Sequence, residues 1–373
     1  FHLAKLLSQE GQDIVLIDQA ADKLKMAANQ VDSATIKGTA TSYSVLEEAG
    51  VSEADLLIAV TSSEEINITT AIIAKHLGAK RTIARISNTE FLYKKDKLNL
   101  KHLGIDDIIS PESLAAKEIK RLLKEVAITD SFDFEKGLLQ LIGVNIESKS
   151  PLIGKSMVEV AKINPDQAFM TVAILRNNET IIPYGDTKFL ENDHAYFVTQ
   201  PECVEKLLFL AGKKKEGVKS MMILGGSRVG FHAAKILSSR YNVKLIERDA
   251  QKCFELADQL PDAMVINGDG RNVELLEEES INEMDAFIAV TGDSETNIIS
   301  CLVAKKMGVK KTIAMVENMD YIHLSQSIGV DTMINKKLIA ANFIFRHVRQ
   351  GEIVSITSIH GVDAEILEFE VQE

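Results

Sequence analysis

The segment Gly225–Gly230 (GGSRVG) follows the apolar run Ser220–Leu224 and opens a helical pattern. A glycine at 225 permits a tight turn, and a glycine at 230 lets the helix approach the strand closely. The unpaired N–H groups and positive dipole end of a helix N-terminus attract an anion, and an arginine adds a charge-assisted contact. The pattern therefore predicts a pyrophosphate site formed by Gly225, Gly226, Ser227, Arg228, Val229 and Gly230.

Residues at the ends of the following strands extend this predicted site. Glu247 lies about 20 residues after the glycine turn, where dinucleotide-binding units place the carboxylate that binds both ribose hydroxyls. Because a carboxylate repels a 2′-phosphate, we expect NAD or an unphosphorylated adenosine ribose rather than NADP. Ser227 replaces the middle glycine of the fingerprint and narrows the approach to the pyrophosphate. Four more residues are expected in a crevice at the carboxyl edge of the predicted sheet: Gly268 and Asp269 near the adenine, and Thr291 and Gly292 after the fourth strand.

The chain contains this unit twice. Ile58–Thr61 (IAVT) recurs as Ile288–Thr291, 230 residues later (288 − 58 = 230), and the same spacing relates Asn67 to Asn297. Identities at one spacing over a domain-sized length indicate a tandem duplication. The duplication predicts a further nucleotide site in the first copy, formed by the equivalent positions Asp18, Gly38, Thr39, Thr61 and Ser62.

Arg85 distinguishes the first copy, since the second copy has Met315 at that position. An arginine within the apolar strand Thr82–Ile86 is costly unless it is paired. One interpretation is that Arg85 binds a phosphate or carboxylate of the ligand, in which case the two sites differ in ligand or affinity. The alternative is an ion pair with Asp18 or Glu65.

Short apolar runs alternate with helical patterns in both copies. This alternation predicts an α/β fold with two tandem Rossmann-type, doubly wound parallel sheets. Between them, after a helix over Glu112–Val126, the pattern predicts a small α+β module with the order β-α-β-β-β-α. The predicted domains are 1–126, 127–212, 213–349 and 350–373, the last being the start of a second small module. Since the first copy lacks a counterpart of Lys219–Gly230, we also expect about a dozen residues before Phe1, forming an apolar strand and a glycine-rich turn.

Composition excludes several classes of protein and partner. The 373 residues are 46% hydrophobic with only 6 prolines, which excludes collagen-like and disordered classes. No apolar run approaches the roughly 18–20 residues that span a bilayer. A net charge of −12 argues against nucleic acid as a partner. The three cysteines lack metal-ligand spacing, and no Ser-His-Asp arrangement, P-loop or zinc motif is present, so we predict neither a metal site nor catalytic residues.

The tandem units, the GGSRVG turn and the IAVT strand followed by an Asn-led helix together resemble the TrkA family. These proteins are regulatory subunits of Trk-type bacterial potassium uptake systems and are built from RCK (also called KTN) domains. The middle module resembles the RCK C-terminal subdomain, whose Pro-x-Gly-Asp-Thr…Asp signature is met by Pro183, Gly185, Asp186, Thr187 and Asp193. The sequence departs from the family pattern at Ser227 and at Thr39, which stands where the second copy has Asp269.

The resemblance implies a non-enzymatic cytoplasmic protein, peripheral at the inner face of the plasma membrane, that binds NAD(H), ATP or ADP as a regulatory ligand. Each Rossmann-type sheet would be followed by an RCK C-terminal subdomain, the second one truncated. The chain would form a homo-oligomer, a tetrameric ring, beneath a Trk-type potassium-translocating membrane subunit and gate it. The helix Glu112–Val126 would cross to a neighbouring subunit.

Two other functions stay open from the residues alone. An NAD-dependent oxidoreductase needs a general acid or base near the nicotinamide, and the middle module offers only His194, which we place beside Asp193 in a turn. A structural assembly module with vestigial sites is the other alternative. Two nucleotide-binding copies without catalytic groups favour regulation.

Overall fold

The computed structural model describes residues 2–9, 11–88, 91, 99–123, 126–134, 137–177, 179–213, 217–318, 321, 328–348, 353–358 and 364–369. The contacts divide the chain into two units. The first comprises Phe1–Leu114 and Lys336–Gln350, and the second comprises Ala115–Asn335 and Gly351–Glu373. Each unit contains strands paired in parallel, so the predicted α/β class with tandem Rossmann-type units is confirmed.

The first copy has two parallel sheets, β1-β2 and β3-β4-β5. Their strands are β1 (Val15–Asp18), β2 (Ala34–Lys37), β3 (Leu56–Ala59), β4 (Arg81–Arg85) and β5 (Asp107–Ile109). The connecting helices are α1 (His2–Gln9), α2 (Ala21–Gln30), α3 (Tyr43–Glu48) and α4 (Glu64–Leu77). Helix α4 begins after Ser63, whose hydroxyl accepts the Ile66 N–H at 3.2 Å, and ends at Gly78 with a φ of +116°.

Helix α5 (Pro111–Leu122) begins in the first unit and continues into the second. Proline is favoured in the first turn of a helix, where no N–H partner is needed. The helix is shorter than the predicted Glu112–Val126, and residues 124 and 125 lie outside the described residues. Ile119 and Leu122 of this helix are buried, as is Leu123 directly after it.

The small module is an antiparallel sheet in the order β6-β7-β10-β8-β9. Its strands are β6 (Asp130–Phe134), β7 (Leu139–Asn145), β8 (Phe169–Arg176), β9 (Glu179–Ile181) and β10 (His194–Thr199), and its helices are α6 (Met157–Ile163) and α7 (Val204–Leu210). The predicted element order is wrong in one respect, because it misses β6. That strand carries two aspartates in five residues, so an apolar run does not mark it.

The predicted position of His194 in a turn is also wrong. His194 begins the central strand β10, is 5% exposed, and its Nε2 lies 2.5 Å from the Thr129 hydroxyl. The neighbouring Asp193 accepts hydrogen bonds from the Arg176 guanidinium at 2.7 and 2.8 Å. Both side chains therefore take part in the internal structure of the module.

The second copy forms one six-stranded parallel sheet in the order β13-β12-β11-β14-β15-β16. Its strands are β11 (Ser220–Leu224), β12 (Asn242–Glu247), β13 (Met264–Asn267), β14 (Ala286–Ala289), β15 (Lys311–Met315) and β16 (Thr332–Ile334). The connecting helices are α8 (Arg228–Leu237), α9 (Ala250–Gln259), α10 (Val273–Glu278) and α11 (Ser294–Lys306). The strand order reverses at β11, which lies between β12 and β14, so a crevice is expected at the carboxyl ends of these strands.

The last described elements are helix α12 (Lys336–Val348) and the antiparallel pair β17 (Ile353–Ser358) and β18 (Glu365–Phe369). Although α12 follows the second copy in the chain, it belongs to the first unit. Its residues Ala340 and Ile344 pack in one core with Ile83 of β4 and Ile109 of β5. Among the helices of the described ranges, none combines the length and apolar character needed to cross a bilayer.

Candidate nucleotide-binding site

A crevice of about 480 Å³ opens at the carboxyl ends of β11, β12, β13 and β14. Each strand is followed by a turn that contributes to the crevice wall. Seven of the sequence-predicted residues line it: Gly225, Ser227, Glu247, Gly268, Asp269, Thr291 and Gly292. The structure thus brings together residues from four separate turns at the strand-order reversal, where open α/β sheets bind ligands.

The glycine turn after β11 is held in a conformation that requires glycine. Gly225 has a φ of +104°, and a Cβ on it would lie 3.0 Å from the Thr291 backbone nitrogen. Gly230 brings α8 against the turn so closely that an added Cβ would lie 2.0 Å from the Gly225 carbonyl oxygen. These glycines therefore let the turn pack in close contact with Thr291 and with the start of α8.

Ser227 caps helix α8. Its hydroxyl accepts the Gly230 N–H at 3.3 Å and donates to the Val290 carbonyl oxygen at 2.6 Å. The residue that departs from the glycine fingerprint therefore ties the helix start to the end of β14. Four predicted residues of this segment do not line the crevice: Gly226 and Val229, which are buried, Gly230, which packs on the turn, and Arg228, which is exposed.

Glu247, at the end of β12, presents an ionised carboxylate to the crevice. It accepts the Gly226 and Asp249 N–H groups, each at 3.0 Å, and pairs with the Lys252 ammonium at 3.1 Å. Burial opposes ionisation, but the hydrogen bonds from Asp249 and Lys252 outweigh it, so the pKa of Glu247 lies below its ordinary value. The negatively charged form is thus the one that faces a ligand near neutral pH.

Asp269, in the turn after β13, forms a bidentate pair with Arg271. The guanidinium donates to its two carboxylate oxygens at 3.0 and 2.6 Å. This hydrogen bonding lowers the pKa of Asp269 to about 2. Thr39 of the first copy occupies the position of Asp269, and its hydroxyl lies 3.2 Å from that of Thr41.

Sequence reasoning missed several polar residues that line the crevice. They follow the predicted residues by a few positions, within the same turns or the first turn of the next helix. Their closeness in sequence to the predicted residues could have indicated them, but it does not show which side chains face the crevice. The missed residues are Arg248, Lys252, Arg271, Asp293 and Thr296.

An asparagine near the start of a helix fixes the fourth turn in both copies. Asn297 accepts the Thr291 N–H at 3.0 Å and hydroxyl at 2.7 Å, and donates to the Met315 carbonyl oxygen at 2.8 Å. Asn67 binds Thr61 in the same way, at 2.8 Å for both groups. The repeated asparagine therefore joins the end of one strand to the end of its neighbour.

The first copy places its predicted residues at equivalent turns. Asp18 ends β1 and accepts the Ala20 N–H at 2.8 Å. Gly38 follows β2 and packs so closely that an added Cβ would lie 2.6 Å from Val45. Thr61 and Ser62 follow β3, where Thr61 is partly buried and Ser62 is exposed.

Arg85 ends β4 and pairs with Glu112, at 3.4 Å, rather than with the predicted alternatives Asp18 or Glu65. Glu112 is 6% exposed and also accepts the Ser87 hydroxyl at 2.8 Å. Burial opposes its ionisation, yet Ser87 and Arg85 hold the pKa of Glu112 below its ordinary value. Arg85 is itself 35% exposed, so its guanidinium also reaches solvent.

The fold and this crevice define a tandem Rossmann-type protein with the architecture of dinucleotide-binding domains. Comparison with known proteins agrees. The TrkA-N domain model matches residues 1–111 and 221–336, and the TrkA-C domain model matches residues 141–210. The chain belongs to the TrkA family.

Relatives match nearly the whole chain. The Trk system potassium uptake protein TrkA of Haemophilus influenzae is 34% identical over 369 residues, covering 98% of this chain and 80% of that protein. The TrkA of Halomonas elongata is 32% identical over 367 residues, with the same coverage of 98% and 80%. The identification of a TrkA-family chain from its motifs is thereby confirmed.

Solved structures share the fold at low identity. The RCK domain of GsuK has a TM-score of 0.65 at 18% identity and covers 93% of this chain and 74% of that chain. The GsuK channel bound to NAD has a TM-score of 0.64 at 18% identity, covering 92% of this chain and 60% of that chain. These similarities support the RCK fold.

Proposed function

We propose that this chain is a cytoplasmic regulatory subunit that binds NAD(H) or an adenine nucleotide and gates a Trk-type potassium-translocating membrane subunit. One observation carries the proposal: the ionised Glu247 and the Gly225 turn face the same crevice at the reversal of strand order. The names of its TrkA relatives, which are potassium uptake proteins, support the same function.

The order of the residues along the crevice fits a nucleotide bound in one orientation. The Gly225 turn, Glu247 and Asp269 follow the adjacent strands β11, β12 and β13. Phosphate, ribose and base are joined in the same linear order, so the phosphates lie at the glycine turn, the ribose hydroxyls at Glu247 and the base beside Gly268 and Asp269. In the first copy, Asp18, Gly38, Thr39, Thr61 and Ser62 take the equivalent roles. Arg85, which Met315 replaces in the second copy, adds a contact to a phosphate of the ligand.

Regulation suits these residues better than oxidoreductase chemistry. A dehydrogenase needs a proton donor or acceptor at the nicotinamide. His194, the one candidate suggested by the sequence, is buried in the small module against Thr129 and Tyr196. Steady-state turnover of NADH with carbonyl substrates would favour the oxidoreductase alternative.

We further propose that the chain assembles into a homotetrameric ring, peripheral at the inner face of the plasma membrane, without nucleic acid as a partner. Gating then requires that the ligand bind two states of the ring with different affinity. A ligand that binds both states equally leaves the transporter unchanged.

Two measurements test the function. Calorimetry with NADH, NAD, ATP and ADP should give saturable heat, whereas no heat with any of them would leave a structural module with vestigial sites. Potassium flux through a Trk-type membrane subunit in liposomes should change when the chain is added and change again with nucleotide. Saturable binding without any effect on flux would contradict the gating role.

A further inference from the structure

The amino ends of β15 and β16 hold the small module through two hydrogen bonds. Lys311 Nζ donates to the Ile128 carbonyl oxygen, and Thr332 Oγ1 donates to the Thr129 carbonyl oxygen at 3.2 Å. We call this pair of hydrogen bonds the module contact. Lys311 is 1% exposed and Thr332 is 5% exposed, so the contact is shielded from water. It joins the six-stranded sheet of the second copy directly to the residues that precede β6.

Asp331 keeps the two strand ends together. Its carboxylate accepts the Thr312 N–H at 2.8 Å and the Thr312 hydroxyl at 2.9 Å, and it pairs with Lys305 of α11. Thr312 and Asp331 are direct neighbours of Lys311 and Thr332 in the chain. A displacement of either strand end therefore moves both donors of the module contact.

The opposite end of β15 is linked to the nucleotide crevice through Asn297. The carbonyl oxygen of Met315 accepts a hydrogen bond from Asn297, which also binds Thr291. Thr291 lines the crevice and lies against the Gly225 turn. One strand of five residues thus connects the crevice wall to the module contact.

Within the small module, the contact continues to the central strand. The Thr129 hydroxyl lies 2.5 Å from His194 Nε2, and the Tyr196 hydroxyl lies 3.4 Å from His194 Nδ1. Gly143 on the adjacent strand provides the room, since an added Cβ would lie 2.8 Å from Thr129 Oγ1 and 2.9 Å from His194 Nε2. A closely packed polar cluster therefore links the module contact to β10.

The first copy has the same asparagine bridge but a different arrangement at the strand starts. Asn67 binds Thr61 and donates to the Arg85 carbonyl oxygen at 3.0 Å. At the starts of β4 and β5, however, Arg81 and Asp107 pair with each other at 2.6 Å. These positions correspond to Lys311 and Thr332, so the two copies use the same sheet edge differently.

We propose that the small module, although it follows the first copy in the chain, is coupled to the second nucleotide site. A ligand in the crevice of the second copy stabilises the module through β15 and the module contact, whereas a ligand in the first copy does not. The inference rests on the proposed nucleotide binding. A ligand that binds only the folded state stabilises the elements that unfold together with its site.

Hydrogen exchange of the full chain, followed by mass spectrometry with and without NADH, tests this coupling. At a concentration 100 times its Kd, NADH should slow exchange of the amides in Asp130–Phe134 by up to about 100-fold. The slowing should persist in Asp18→Ala, which impairs the first site, and disappear in Glu247→Ala, which impairs the second. Slowing that is lost in Asp18→Ala and retained in Glu247→Ala would overturn the proposal.

A second variant addresses the module contact itself. Thr332→Val keeps the shape of the side chain but removes the donor to Thr129, so exchange in Asp130–Phe134 should rise about tenfold without ligand. Its calorimetric Kd for NADH should stay within about twofold of wild type, because the variant leaves the crevice residues in place. The matched control is Thr82→Val, which removes a buried hydroxyl bound to Gly104 in the first copy and should leave these amides unchanged.

The proposed nucleotide binding and the proposed coupling can be refuted separately. No heat with any nucleotide would refute the proposed function, and exchange of Thr332→Val without ligand would still test the contact. If its module amides then exchange as slowly as those of wild type and Thr82→Val, the coupling is overturned.

Discussion

Glu247→Ala tests how the second site selects its ligand. The carboxylate is 13% exposed in its side chain, is ionised and lies between the Gly226 N–H and Lys252. A hydrogen bond to a charged group contributes about 1.5–3 kcal/mol, so losing the ribose contacts should weaken NADH binding by about 10- to 100-fold. NADPH should behave differently, because Lys252 and Arg248 also line the crevice and remain available to a 2′-phosphate.

The assay is calorimetric titration of NADH and NADPH in an Asp18→Ala background, so that the second site dominates the heat. Wild-type Glu247 should favour NADH, and the alanine variant should shift the ratio of the two affinities toward NADPH. Glu247→Gln is the matched control, because it keeps the size of the side chain and removes only its charge. It should relieve the repulsion of NADPH while retaining part of the NADH affinity.

The ratio of affinities separates ligand selection from general damage to the site. A misfolded crevice would weaken both dinucleotides to the same extent. Equal weakening, or unchanged affinity for both, would refute the assignment of Glu247 as the group that binds the ribose hydroxyls.

Three further predictions concern other parts of the chain. Arg85→Ala should weaken nucleotide binding at the first site about tenfold by calorimetry and lower the free energy of unfolding by about 1–3 kcal/mol. Adding Glu112→Gln to this variant should restore the stability but not the binding. Recovery of both would limit the role of Arg85 to its ion pair with Glu112. Burial lowers the pKa of Lys311 from 10.5 to about 8. Between about pH 8 and pH 10.5 the folded chain therefore binds fewer protons than the unfolded chain, so the free energy of unfolding rises with pH in this range. Urea unfolding at about pH 7.5 and about pH 10 should show wild type gaining about 2 kcal/mol over Lys311→Met, and a constant difference would contradict this. Gly230→Ala should abolish second-site binding and lower the melting temperature, whereas Gly217→Ala, with nothing within 4 Å of the added Cβ, should leave the melting temperature nearly unchanged.

Local sequence patterns were sufficient for the fold class and for seven of the residues that line the crevice of the second copy. The Gly225 turn and Glu247 belong to one β-α-β unit, so short-range spacing is enough to place them at the ends of neighbouring strands. The duplication then indicated which residues of the first copy occupy equivalent turns. The pattern did not predict which neighbouring charges turn into the crevice, as the pairs Glu247–Lys252 and Asp269–Arg271 show.

The features that sequence reasoning missed depend on contacts between distant segments. Lys311 starts a strand, where a lysine ordinarily faces solvent, yet its partner is a carbonyl group 183 positions away. The partner of Arg85 is Glu112 on a later helix, 27 positions away, which no local period indicates. Helix α12 is a similar case. It packs on a core of the first copy, although it directly follows the second copy in the chain.

A crystal structure of the chain grown with NADH would test the central claim most directly. We predict difference density in the crevice of the second copy, with the diphosphate at the Gly225 turn and a ribose within hydrogen-bonding distance of the Glu247 carboxylate. A well-ordered crevice without such density at saturating NADH, or density with no contact to Glu247, would contradict the account.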